Sequence, residues 1–96
     1  DIDSLALWRS IRAPILARAG KFDEAETLAR SAVEISGQSE APQMQADTLS
    51  ELAAVLLLAG RTDEARKAIN AAIANYQVKG DIVSAARATA WAATLR

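Results

Sequence analysis

Shifting the chain against itself by 40 positions lays Ala19-Gly20-Lys21-Phe22-Asp23-Glu24-Ala25 on Ala59-Gly60-Arg61-Thr62-Asp63-Glu64-Ala65. The match extends outward: Ala13 meets Ala53, Ile15 meets Val55, Leu16 meets Leu56, Ala32 meets Ala72 and Val33 meets Ile73. Alanine inflates chance agreement, but the recurring Ala-Gly-basic-x-Asp-Glu-Ala block is not an alanine effect. A period of this length marks a supersecondary unit that buries its apolar face by stacking on a neighbour. The length predicts one domain over 1–96, with a first unit at 4–36, a second at 43–79 and an unpaired helix at 82–95.

Each unit reads as helix, short turn, helix. The first helix spans roughly Ser4 to Ala19, with Leu5, Trp8, Ile11, Ile15, Leu16 and Ala19 at helical spacing as its inward face. Gly20 suits the left-handed position that closes a helix. Asp23, with Glu26 three residues on, predicts a capping box at the start of the next helix. That helix carries Ala25, Leu28, Ala29, Ala32, Val33 and Ile35 to about Ser36, and a polar linker runs from Gly37 to Pro42. In the second unit a helix from Gln43 to Ala59 turns inward Leu49, Leu52, Ala53, Leu56 and Leu57. Gly60 turns the chain, Thr62 or Asp63 caps the next helix to Lys79, and Gly80-Asp81 leads into Ile82–Leu95. The fold class is all-α, with about five helices as stacked antiparallel hairpins.

Composition agrees with that class and excludes much chemistry. Twenty-three of 96 residues are alanine and only four are aromatic, so the layers must be thin and closely spaced. Cysteine and histidine are both absent, which removes disulfides, thiolate nucleophiles, the commonest general base and the commonest transition-metal ligand. No cofactor is expected. The net charge of −1 supplies no field for nucleic acid or an anionic membrane. No apolar run approaches bilayer length, no signal peptide is visible, and a cytoplasmic setting is expected. The start at Asp1, without an initiator methionine, reads as a piece of a longer protein.

Several residues invite a sharper reading. Asp23-Glu24 and Asp63-Glu64 resemble metal ligands in type, but each pair opens a helix, where carboxylates meet free N–H groups. Arg9, Arg12, Arg18 and Lys21 line the first helix and read as a solvated basic face. Pro14 lies inside that helix and reads as a tolerated kink, or else as part of a groove. Trp8 and Trp91 read as core or inter-repeat packing. No nucleophile, base and oxyanion donor can be assembled, so an enzyme is not expected.

Gly20-x-Phe22-x-x-Ala25 and Gly60-x-x-x-x-Ala65, with Ala13 and Ala53 before and Ala32 and Ala72 after, resemble tetratricopeptide repeats. The resemblance implies an α-α superhelix whose concave face is lined by the first helix of each hairpin. It would place Leu7, Ser10, Pro14 and Ala17, then Asp47, Ser50, Ala54 and Leu57, on that face. These residues do not form the Lys/Arg/Asn clamp that takes a peptide carboxylate, so apolar or backbone contact is implied. The string Tyr76-Gln77-Val78-Lys79-Gly80-Asp81-Ile82-Val83-Ser84-Ala85-Ala86-Arg87, with Trp8–Ala13 and Leu58–Arg61, is similar to the C-terminal repeats of bacterial signalling proteins. Those proteins carry a class III adenylate/guanylate cyclase domain and an AAA-type ATPase, and related regions occur in ATP-dependent transcriptional activators. This likeness implies a non-catalytic interaction or regulatory module that contacts a protein partner or a neighbouring domain. The other reading is an effector-sensing domain that binds a small ligand between hairpins. Ile82, Ala86, Ala90, Trp91 and Leu95 form an expected association strip on the unpaired helix, suited to packing on the second unit or to a homodimer.

Overall fold

A computed structural model describes residues 2–39 and 41–95; Asp1, Glu40 and Arg96, and with them the expectations at the first residue and at one linker position, lie outside the described residues. Five helices follow in order: α1 (Ile2–Arg18), α2 (Phe22–Ser36), α3 (Pro42–Leu58), α4 (Thr62–Lys79) and α5 (Ile82–Ala93). There is no strand among the described residues. α1 pairs with α2 and α3 with α4, while α2 and α1 both lean on α3, and α5 rests on α4. The Cα envelope measures 37 × 35 × 16 Å, a slab two helices thick.

The turns follow one recipe. Gly20, Gly60 and Gly80 sit at φ +83°, +80° and +81°, where an L-residue is strained. Around each, the helix closes by paired backbone bonds: Lys21 N to Leu16 O at 2.9 Å, Arg61 N to Leu56 O at 2.8 Å, and Asp81 N to Tyr76 O at 2.9 Å. The next helix therefore starts two residues after the glycine. That tightness overturns the capping expectation. The N-caps are Lys21 and Arg61, neither with a side-chain bond, and Asp23 and Asp63 lie inside the first turn, where they meet the helix dipole. Among the described residues it is at α5 that an aspartate caps: Asp81 Oδ1 accepts from Ser84 N at 3.0 Å.

The core is built from alanine. Ala13, Ala25 and Ala32 are fully buried, as are their equivalents Ala53, Ala65 and Ala72. Leu56, Ile69 and Val55 are the largest side chains completely enclosed. In α1 the inward face is Ala6, Ser10, Ala13 and Ala17, which corrects the sequence expectation. Leu5, Trp8, Ile11 and Ile15 are exposed, because a close helix pair admits the small residues and turns the large ones outward. α1 runs unbroken through Pro14.

One polar pair is sealed between the units. Ser36 Oγ of α2 and Thr48 Oγ1 of α3 lie 2.8 Å apart, both completely buried. Each hydroxyl also lies 2.9 Å from a carbonyl of its own helix, Val33 O and Gln45 O. With one proton apiece, one hydroxyl donates across the interface and the other donates to its own carbonyl. Outside this seam, Glu26 pairs with Arg30 at 2.7 Å and with Arg61, and Glu64 reaches Arg61 at 2.5 Å and Arg30 at 3.7 Å. This ring of four charges ties α2 to the start of α4.

Two measurements check this account by urea denaturation. Pro14→Ala restores a backbone donor inside α1 and should stabilise the chain by about 2 kcal/mol. Thr48→Val leaves Ser36 its own carbonyl, so it should cost only about 1 kcal/mol, and the double change with Ser36→Ala should cost less than the sum of the two single ones.

Candidate functional site

Residues that repeat at 40 positions occupy equivalent places, so each junction between units can be compared with the next. Where α2 presents Ser36 to Thr48, α4 presents Tyr76 to Ala88. The large ring now comes from the covering helix and the small residue from the covered one. α1 packs beside α3, whereas α5 is held chiefly by α4 and leaves a cleft toward α3. Tyr76 fills the floor of that cleft. A cavity of about 370 Å³ remains, lined by Ser50 of α3, Tyr76 of α4, and Ser84, Arg87, Ala88 and Trp91 of α5.

The polar groups here are ordered by one another. Tyr76 Oη donates to Asp47 Oδ1 at 2.7 Å. Burial pushes the phenol's pKa up and the bond to Asp47 adds to it, while a hydrogen bond with Ser50 opposes, so the phenol remains a donor at neutral pH. Burial also raises the carboxyl of Glu51, with the charge of Asp47 in the same direction and Arg18 against it. Asp81 is held below its ordinary value by its bonds from Ser84, side chain first and backbone second. That cap fixes Ser84 at the mouth of the cavity, beside Arg87. The site thus offers a guanidinium, hydroxyls and two aromatic surfaces, with acidic Asp47 and Glu51 alongside. It can hold an anionic group against an apolar one by hydrogen bonds and stacking.

The expected contact residues fall into three groups. Asp47 and Ser50 converge on Tyr76 and the cavity. Leu7 is exposed and Pro14 half-buried on α1, away from the cavity. Ser10 is buried, with its hydroxyl donating to Leu7 O at 3.2 Å, and Leu57 packs against the core. The strip on α5 divides as well. Ile82, Ala86 and Ala90 are exposed, while Trp91 and Leu95 pack against the core of the second unit, Leu95 beyond the end of the helix. Tyr76, Ser84 and Arg87 were not among the expected site residues. The signal for Tyr76 was present in the exchange of Ser36·Thr48 for Tyr76·Ala88 at 40 positions, and that exchange carries none for Ser84 or Arg87.

Paired antiparallel helices, repeated in register and joined at equivalent glycine turns, define a helical-repeat protein. The family model for the tetratricopeptide repeat matches residues 3–78, and the chain belongs to that family. No curated protein and no solved structure matches it. Tetratricopeptide repeats generally mediate contact between proteins and are typically non-catalytic. Among the described residues no helix is long and apolar enough to cross a membrane, and no three acidic side chains gather as metal ligands.

Because the folded chain raises the pKa of Glu51, the native state holds that proton more tightly than the unfolded chain does. Stability is therefore lost as pH rises through and above the ordinary carboxylate range. Glu51→Gln should raise the thermal midpoint at pH 7, and the gain should vanish below about pH 4, where both side chains are neutral. Melting curves at the two pH values check this.

Proposed function

We propose that this chain is a non-catalytic contact and regulatory module of a larger bacterial signalling protein, working in the cytoplasm. The cleft between α3 and α5 receives a side chain of a protein partner or of a neighbouring domain. The observation that carries the reading is the convergence of Arg87, Ser50, Ser84 and Trp91 around a cavity of about 370 Å³ floored by Tyr76. The guanidinium favours an acidic group and the indole an apolar neighbour, so a segment with an acidic residue beside an apolar one fits. The likeness of Tyr76–Arg87 to repeats that follow cyclase and ATPase domains supports the setting, since the same string builds the wall of the cleft. Stacked hairpins move as linked bodies, which suits them to passing a displacement between domains. The exposed Ile82, Ala86 and Ala90 support α5 as an additional association edge, open to a homodimer.

The volume of the cavity also falls in the range of small-molecule sites, which favours effector sensing as the second reading. Displayed peptide libraries selected on the chain should enrich acidic–apolar sequences, and Arg87→Glu should weaken the winners at least about tenfold. Absence of enrichment, or binding indifferent to Arg87→Glu, overturns the contact reading. Thermal stabilisation by small carboxylates with no peptide enrichment would select the sensor instead.

A further inference from the structure

On the side of the slab opposite α5, α1 leaves Leu5, Trp8 and Ile15 exposed, Trp8 to 55%. The repeat shows what belongs there. Forty positions on, Thr48 and Val55 are completely buried, and Gln45 half-buried, under α2. At the third unit Ala85 and Ala88 are buried under α4. The same helical face is thus covered at two junctions by the second helix of the preceding hairpin and is bare at the first.

The hollow at this bare face also has its counterpart. About 420 Å³ is lined by Trp8, Leu16 and Leu28 together with Arg12, Asp23 and Glu24. Around the equivalent Leu52, Leu56, Glu64 and Ala68, the wall is completed by Arg30 and Val33 of α2. At that junction Glu26 of α2 pairs with Arg61 and Arg30 pairs with Glu64. Lys21 and Glu24 stand where Arg61 and Glu64 stand, and neither makes an ion pair among the described residues.

We infer that this face binds a partner helix, packed as α2 packs on α3, with a definable pattern. An acidic residue meets Lys21, a basic residue four positions later meets Glu24, and an apolar residue follows three positions after that, in the place of Val33. Three further on, in the place of Ser36, stands glycine or alanine. The last element follows from size. The facing pairs are Ser36 with Thr48 and Tyr76 with Ala88, one side chain shrinking as the other grows; Trp8 occupies the covered place and leaves room for almost nothing opposite. The occupant is not a second copy. The matching faces of α2 and α4 are already spent on α3 and α5, and α5 has no acidic residue from Ile82 to Leu95 to answer Lys21. Two α1 faces brought together would oppose Arg9 and Arg12 with their own copies.

This surface is separate from the cleft at Tyr76, so it stands or falls independently of the proposed function. The probe is a synthetic peptide of residues 21–39 carrying Ser36→Ala, added to the whole chain and followed by the indole N–H signals of Trp8 and Trp91 in a proton–nitrogen spectrum. The Trp8 signal is expected to shift on titration while that of Trp91 stays in place. Affinity should fall from peptides with alanine to serine to tyrosine at position 36. Glu24→Lys should weaken binding about fivefold, and Arg30→Glu in the peptide should restore it. The inference is overturned by a Trp8 signal that does not respond, by a peptide that moves Trp91 instead, or by affinity indifferent to Glu24→Lys. A Trp8 signal that shifts with concentration of the chain alone would assign the face to a second copy and overturn it too.

Discussion

Six fully buried alanines, Ala13, Ala25 and Ala32 with Ala53, Ala65 and Ala72, set how closely the helices of each hairpin lie, and the remaining architecture is arranged around that distance. A methyl group buries little area, so each contact contributes little alone. What it provides is approach. Backbones brought close let Leu56, Ile69 and Val55 fill the remaining space, and in α1 the seam is taken by Ala6, Ser10, Ala13 and Ala17, with Leu16 half-buried against it. The large apolar side chains of α1 are consequently driven to the faces between units. An enlarged residue at any of the six positions would push the hairpin apart and disturb both neighbouring junctions, because each helix serves two contacts.

The junctions between units obey a different rule. There the helices are spaced by unlike pairs: two small hydroxyls at the first, a ring against a methyl at the second. Ser36 and Thr48 can be buried because each has the other and a carbonyl of its own helix as partners, and the described chain has no buried side-chain nitrogen or oxygen lacking a partner. Tyr76 uses another solution. It brings an apolar ring into the junction and carries its hydroxyl out to Asp47, at the edge of the cleft. The change from a hydroxyl pair to a tyrosine therefore does two things. It reaches into space that a serine leaves empty, and it places an ordered phenol, its one proton given to Asp47, at the surface where Ser50, Ser84 and Arg87 meet.

Much of this was legible in the chain. The period, the three glycine turns, the five helices and the alanine seams all follow from residues that recur, and the helix limits expected from them differ from the observed ones by only a few positions. The orientation of α1 was not legible from hydrophobicity alone, since Leu5, Trp8, Ile11 and Ile15 form as good an apolar stripe as the alanines that are buried. Size, and not polarity, decides between the two stripes. Likewise Asp23 has the chemistry of a cap, but the cap position is set two residues earlier, at Lys21, by the closure at Gly20. Of the candidate contacts, Asp47 and Ser50 could be placed by register. Ser10 and Leu57 share that register yet are drawn inward by the hairpin, a distinction that depends on the tilt of one helix against its mate.

A stack of this kind has no centre, and that shapes where function can reside. Each unit is stabilised by the one beside it, so the faces at the ends carry the same packing logic as the faces within. At the α5 edge, Ile82 is 80% exposed beside Ala86 and Ala90, small residues that correspond to the buried Ala46 and the half-buried Ser50 of α3. At the α1 edge the exposed residues are large and are rimmed by charge. The two ends are therefore not interchangeable: one presents a shallow, uncharged bed and the other an aromatic ridge between Lys21 and Glu24. A repeat that looks uniform along its axis is polar in its chemistry, and the polarity comes from what each unit places opposite the next, Ser36, Tyr76 or the position facing Trp8.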